Sequence, residues 1–341
     1  MTASSNDAPL DLPSRVPRRQ DLRAARERIA GRTHRTPLFS CSAINGIVGG
    51  DLFFKCENFQ KGGAFKIRGA LNHLFSLTEE EVRRGVVTHS SGNHAQALAM
   101  AARARGVPAH IVMPETAPRV KIAAVRGYGA EITFCAATEE ARTATAARIM
   151  EETGAHFVHP YNDPLIVAGQ GTATMEILDQ VENPDMIVTP VGGGGLLSGS
   201  ALAARYFGSS RLSVWGAEPE LASDAHQSLR EGQIVPALPP RTIADGLLTS
   251  LGDVTFEIIQ AAVEGIGLCS EGGIARAMRL VWERMKLLVE PSGAVPLAAI
   301  LERTIDVRGK RVVVILSGGN VDLARIPELL ALEDNPPGAV S

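Results

Sequence analysis

Five short stretches of this sequence hold residues whose types and spacing could do chemistry together. In Gly63-Ala-Phe-Lys-Ile-Arg-Gly69, Lys66 stands between an aromatic and an apolar residue. Neighbours that exclude water disfavour the ammonium form, which gives Lys66 the character of a Schiff-base amine and a general base. Read alone, a surface lysine fits the same pattern. In Val191-Gly-Gly-Gly-Gly-Leu196, the run Gly192, Gly193, Gly194, Gly195 leaves backbone N–H groups free to close around a phosphate, with the positive end of a helix beyond. The run matches neither the dinucleotide nor the P-loop nucleotide pattern. Ser90-Ser91-Gly92-Asn93-His94 offers hydroxyls and free amides to a carboxylate, and serves equally as a helix N-cap. His89 and His94 receive no catalytic role on these grounds, because a histidine beside a turn is more often packed or hydrogen-bonded. Glu290-Pro-Ser-Gly293 and Leu316-Ser317-Gly-Gly-Asn320 add a carboxylate and a hydroxyl at element ends where a ligand would sit.

Regular elements must bring these loops together. β-Branched runs at Val86 to Thr88, His110 to Met113, Glu131 to Phe134, Ile187 to Val191, Ser213 to Ala217 and Arg311 to Leu316 alternate with Ala-rich helical stretches such as Ala95 to Arg105 and Ala136 to Thr153. A helix is expected to begin near Leu197. This alternation predicts an α/β fold of two parallel or mostly parallel sheets with helices on both faces, and ligands at the carboxyl ends of strands. The first three strands define a small domain over residues 85–159, and residues 1–84 with 160–341 a larger, discontinuous one. With no repeat or low-complexity linker, the site is expected between the two. Residues 1–18 and Glu333 to Ser341 are polar or Pro-rich and read as mobile ends that bury little.

The bulk properties agree with this and exclude other classes. At 341 residues there is room for two lobes, and 45% hydrophobic with 21% charged residues is the profile of a folded α/β chain. A net charge of −3 leaves no electrostatic footprint for nucleic acid or an anionic membrane. No secretory h-region and no long uncharged apolar run is present, so a cytoplasmic location is expected. Cys41, Cys56, Cys135 and Cys269 lack paired spacing, which suggests neither a zinc site nor a disulfide framework.

In chain order, LFFKCENFQKGGAFKIRGALN, VTHSSGNHAQAL, TAPRVKIAAVRGYGA, AGQGT, PVGGGGLLSG, TIADG, LVWERMKLLVEPSGA and VILSGGNVDL resemble the fold-type II (tryptophan synthase β-like) family of pyridoxal-phosphate (PLP) enzymes, from about Leu22 to Leu323. They are most similar to its serine racemases and threo-3-hydroxyaspartate dehydratases, more than to degradative threonine dehydratases. The resemblance implies PLP joined to Lys66, Phe65 and Asn93 flanking its ring, Gly192 to Leu196 on its phosphate, and Ser317 at its pyridine nitrogen. Gly246 of TIADG and Glu290 fall to the cofactor as well. A serine cannot hold that nitrogen protonated as a carboxylate would, which favours β-elimination over transamination. Ser90, Ser91, Gly92, Asn93 and His94 would enclose the carboxylate of a small amino-acid substrate, with Arg142 and Thr249 nearby. Glu218, the backbone oxygen of Ala222, and Asp224 match a divalent-cation site whose oxygen ligands suit Mg, Mn or Ca. A homodimer is expected.

On this reading the substrate amine displaces Lys66, the freed lysine takes the Cα proton, and the β-hydroxyl leaves, giving after hydrolysis a 2-oxo acid and ammonia. Ser91 on the opposite face would permit racemisation; L-threonine dehydratases generally carry alanine there. The alternatives are a β-replacement enzyme of the cysteine synthase type, whose asparagine-rich substrate loop is missing, a threonine-specific catabolic dehydratase, and a silent PLP-holding relative. Intact Lys66 and Ser91 argue against the last. Ala64 departs from the serine of many relatives. The chain ends soon after LSGGNVDL, so a C-terminal regulatory domain and feedback inhibition by isoleucine are not expected.

Overall fold

The run RVVVIL (Arg311–Leu316) is apolar at nearly every position, as a strand buried on both faces requires. The computed structural model describes residues 13–117, 119–237 and 241–333. Among them the strands are β1 (Leu38–Ser40), β2 (Asp51–Cys56), β3 (Val86–His89), β4 (Ala109–Pro114), β5 (Glu131–Cys135), β6 (His156–Phe157), β7 (Met186–Pro190), β8 (Ser213–Pro219), β9 (Gly265–Cys269) and β10 (Arg311–Leu316). They form a six-stranded sheet in the order β1-β2-β10-β7-β8-β9 and a four-stranded sheet in the order β5-β4-β3-β6. Every pair is parallel except β1 with β2. Along β10 the side chains alternate between two cores: Val312, Val314 and Leu316 join one cluster, Val313 and Ile315 the other.

All six runs read as strands are strands here, with ends shifted by a residue or two. Four strands were not read: β1 and β6 are too short for a periodicity, β9 is GIGLC, and β2 contains Lys55. That lysine is fully buried. Its Nζ donates to Glu176 Oε2 at 2.7 Å, Gln180 Oε1 at 2.8 Å and the Thr36 carbonyl at 2.9 Å. Beside it, buried Arg68 forms an ion pair through Nε with Glu57 (2.7 Å) and through Nη1 with Glu176 (2.7 Å). Two cations and two carboxylates thus close a balanced network under the start of the helix Ile67–Ser76, which Lys66 caps.

Two expectations are corrected. The helix after β7 starts at Gly195, earlier than Leu197, so the last glycine of the run lies in its first turn. The N-terminal stretch is docked from Pro13 onward. Val16 is buried, the Pro17 carbonyl accepts from the Tyr206 hydroxyl at 3.2 Å, and Arg15 pairs with Asp253 and Glu257. Residues 1–12 and 334–341 lie outside the described residues.

Candidate active site

The chain around Lys66 is stitched to the loop after β10. Ala64 bridges Gly318, and the Phe65 N–H donates to the Ser317 carbonyl at 3.1 Å. Lys66 Nζ reaches across the cleft to the Pro160 carbonyl at 3.0 Å and lies 5.3 Å from the Phe65 ring centroid. No carboxylate pairs with it among the described residues. Burial alone pushes its pKa down to about 8, as the flanking residues predicted.

On one side of Lys66, Asn93 Nδ2 donates to Glu290 Oε1 at 2.8 Å, and Asn93 Oδ1 accepts from Asn320 Nδ2 at 2.9 Å. Glu290 Oε2 accepts the Asn320 N–H at 3.2 Å. Burial, then the charge of Asp245, raises the Glu290 carboxyl to about 7. One N–H of Asn93 remains for a ligand. Ser317 is buried with its hydroxyl unspent among the described residues. Gly246 donates its N–H to Ser292 Oγ at 2.9 Å.

On the other side lies the glycine run. None of the five N–H groups from Gly192 to Leu196 has a hydrogen-bond partner among the described residues, although all five residues are buried. Such groups are rarely left orphaned. Gly194 has φ +88, and a Cβ there would lie 2.8 Å from the Thr255 side chain. A Cβ on Gly193 would overlap ring carbons of Tyr161. Five free amides at the start of the helix Gly195–Phe207, reached from a desolvated lysine, fit a phosphorylated carbonyl cofactor.

The serine loop opens the helix Asn93–Arg105. Ser90 Oγ accepts the Gly92 N–H at 3.3 Å, while the Ser91 hydroxyl is unspent among the described residues. His94 is buried and neither ring nitrogen has a hydrogen bond of good geometry. Burial, and next the charge of Lys66, hold it well below the usual imidazole pKa, so the ring is neutral. Arg142, half-buried on the helix Glu139–Thr153, donates Nε to the Thr138 carbonyl at 3.2 Å. Its charge adds to burial in lowering the His89 pKa, which places it within electrostatic range of that ring. Thr249 is exposed. Tyr161 and His159, held near 4 by burial and by His89, were not singled out from the sequence. The one local signal there was Asp163-Pro164, an N-cap followed by proline at the helix start, which marks the position of the segment but not its role.

Glu218 and Asp224 lie apart from this cleft, at the helix Asp224–Glu231. Glu218 accepts the N–H groups of Ala225 (2.9 Å) and His226 (2.8 Å). Asp224 Oδ2 is buried without a partner. Burial raises Glu218 well above the carboxylate range and Asp224 to about 6. Neither forms an ion pair among the described residues, and Ala222 is buried beside them. Two buried carboxylates without a counter-charge fit a cation. No group of three or more His, Cys, Asp or Glu side chains suited to a metal occurs among the described residues.

Sheet order, lysine and amide cradle together define a fold-type II PLP enzyme, and the chain belongs to the pyridoxal-phosphate dependent enzyme family, whose model matches residues 29–318. Among its relatives, a serine racemase of Dictyostelium discoideum is 49% identical over 91% of this chain and 97% of its own. A β-hydroxyaspartate dehydratase of Paracoccus denitrificans is 46% identical over 92% and 99%. The structure of maize serine racemase superposes with a TM-score of 0.89 at 45% identity, covering 93% of this chain and 97% of that one.

Proposed function

We propose that this enzyme eliminates the β-hydroxyl of a small β-hydroxy-α-amino acid, serine, threonine or threo-3-hydroxyaspartate, to give a 2-oxo acid and ammonia, and that it also racemises such a substrate. The observation that carries the reading is Lys66, a desolvated lysine with pKa about 8, together with an unspent amide cradle and a serine loop whose Ser91 hydroxyl is unspent. The activities named for the relatives support it.

When bound, PLP supplies the electron sink that makes the substrate Cα acidic. Gly192 to Leu196 would hold its phosphate, Phe65 and Asn93 would flank its ring and Ser317 would meet its nitrogen, while Glu290 fixes Asn93. Gly246 closes the same wall. Ser90, Gly92, Asn93 and neutral His94 receive the substrate carboxylate. The Lys66 amine, whose pKa near 8 leaves part of it neutral at pH 7 to 8, takes the Cα proton on one face. Ser91 gives or takes a proton on the other, which racemisation requires. Arg142 and Thr249 close the substrate side. Glu218, the Ala222 carbonyl and Asp224 hold a divalent cation, Mg, Mn or Ca. The reading includes a homodimer in the cytoplasm, and two lobes, 85–159 against 1–84 with 160–341, that close over the substrate. No helix among the described residues is long and apolar enough to cross a membrane.

Lys66→Ala tests the reading. It should abolish elimination and borohydride-reducible cofactor attachment while circular dichroism is unchanged; attachment retained elsewhere on the chain would overturn it.

A further inference from the structure

Two histidines that belong to none of the motifs above meet where the four-stranded sheet touches the helix carrying the lysine. His73 lies on the helix Ile67–Ser76, which Lys66 caps, and His156 opens β6. The His73 ring is buried, with Nδ1 3.2 Å from Asp163 Oδ1 and Nε2 3.1 Å from His156 Nε2. The two ring centroids are 5.2 Å apart. Beside His73, Asn72 Nδ2 donates to the Leu165 carbonyl at 2.7 Å. The C-terminal part of the lysine helix is thus fastened at three points to the segment 156–165.

Between those points the same segment reaches the cofactor site twice. The Pro160 carbonyl holds Lys66 Nζ at 3.0 Å, and the Tyr161 ring packs on Gly193 so closely that a Cβ there would overlap it. Asn162 Nδ2 donates to Asp253 at 2.7 Å, and Asp163 Oδ1 accepts the N–H groups of Leu165 (2.8 Å) and Ile166 (2.9 Å). The lysine amine and the amide cradle therefore share one backing strip, and the imidazole pair anchors its start.

The hydrogen bonds limit how many protons that anchor can hold. Burial would raise the Asp163 pKa, but the bonds from His73, Ile166 and Leu165 outweigh it and keep the group an acceptor. His73 Nδ1 accordingly carries a hydrogen, and between the two Nε2 atoms there is room for one more. Either His156 donates it with both rings neutral, or a cationic His73 donates it to a neutral His156. A second charge sets two N–H groups against each other, and the contact parts. The charged or titratable groups facing the pair are Asp163, Glu81 of the helix Glu79–Val82 with Arg105 behind it, and His94 of the helix Asn93–Arg105. Burial and then His73 lower the His156 pKa, while Glu81 and Asp163 oppose this. The contact is therefore complete above about pH 6.5, the ordinary imidazole value, and is lost as pH falls through the lowered value of His156.

We propose that His73 and His156 are positioning residues for the cofactor site: their one-proton contact holds the strip 156–163 so that Pro160 meets the lysine and Tyr161 the glycine run, and a second proton releases it. The inference is independent of which amino acid the enzyme takes.

His156→Gln keeps an amide donor for His73 Nε2 but cannot gain a proton, whereas His156→Phe keeps a ring and loses the bond. Cofactor loss from the loaded proteins, followed by absorbance and expressed relative to wild type at each pH, cancels the general acid lability of the cofactor linkage. At pH 7.5 His156→Gln should match wild type, and His156→Phe should lose cofactor roughly tenfold faster, the worth of one hydrogen bond. At pH 5 wild type should behave like His156→Phe, and His156→Gln should be the slower by roughly tenfold. Amide hydrogen exchange on the wild type alone reads the same release: corrected for intrinsic rates, residues 156–163 should lose protection between pH 7.5 and pH 5 while β10 keeps it. A wild-type to His156→Gln ratio that does not change with pH overturns the proposal. So does a His156→Phe that retains cofactor like wild type at pH 7.5, or a strip as protected at pH 5 as at pH 7.5.

Discussion

Replacing Lys66 by methionine should stabilise the cofactor-free protein at neutral pH although it removes the residue on which the chemistry rests. Burial lowers the Lys66 pKa from 10.5 to about 8, which corresponds to about 3 kcal/mol of disfavour for the protonated amine in the folded state. Part of this is screened, because the side chain keeps some exposure to the cleft. Losing the hydrogen bond to the Pro160 carbonyl offsets about 1 kcal/mol more. A net gain of about 1 to 2 kcal/mol remains for an unbranched apolar side chain of similar length. The pH dependence fixes the sign. Below about pH 8 the amine is protonated in both states and the penalty is complete. Between about 8 and 10.5 the unfolded chain binds more protons than the folded one, so wild-type stability rises with pH and the penalty disappears. Urea unfolding of stripped wild type and Lys66→Met at pH 7 and pH 10.5 measures this. The variant should lead at pH 7, and the two should converge at pH 10.5 or cross slightly in favour of wild type. A variant less stable at pH 7, or an advantage that does not shrink with pH, would show that the amine is not held against its solvation.

Three further outcomes follow from the site. Ser91→Ala should retain part of L-serine dehydration but lose D-substrate elimination and racemisation by roughly 10²- to 10⁴-fold, the worth of a general acid-base group; equal loss of all three rates would reduce Ser91 to part of the carboxylate seat. If Glu218 and Asp224 hold a cation that binds only the folded state, EDTA should lower the thermal midpoint and Mg or Mn should restore it; a verified metal-free protein with an unchanged midpoint counts against the site. Gly194→Ala places a Cβ at φ +88 and 2.8 Å from Thr255, and should cost about 2 to 4 kcal/mol with weakened PLP retention. An unchanged urea midpoint would mean that the loop relaxes freely.

What the sequence reveals depends on whether a residue's neighbours lie close along the chain. RVVVIL announces a strand because both its faces are buried by the same kind of partner. LFFKC does not, because the partners that make Lys55 tolerable, Glu176 and Gln180, are more than a hundred residues away. The glycine run was legible as a row of open backbone amides from composition alone, since glycine's lack of a side chain is itself the signal. Arg142 was open to either reading, because helix periodicity does not say whether a helix face meets solvent or a cleft. Tyr161 carries no local pattern at all. Its place follows from Pro160, Asn162 and Asp163, each pinned to a different element.

A second kind of signal separates scaffold from site without any motif. In the network of Lys55, Glu57, Arg68 and Glu176 the charges balance and every ion has a partner at hydrogen-bond distance. Removing one member would strand a buried charge, at about 3 to 5 kcal/mol, so such a network fixes geometry and leaves nothing for a ligand. The cleft has the opposite character. Lys66 has no carboxylate, His94 has two unsatisfied nitrogens, five consecutive amides have no acceptor, and the Ser91 and Ser317 hydroxyls are unspent. Folding alone would select against the buried ones, the His94 nitrogens and the glycine-run amides, since orphaned buried groups cost about 1 to 3 kcal/mol apiece. Their gathering around one lysine is therefore what a bound cofactor and substrate would offset, and the paired network two residues along the chain, at Arg68, is what keeps the unpaired lysine in place.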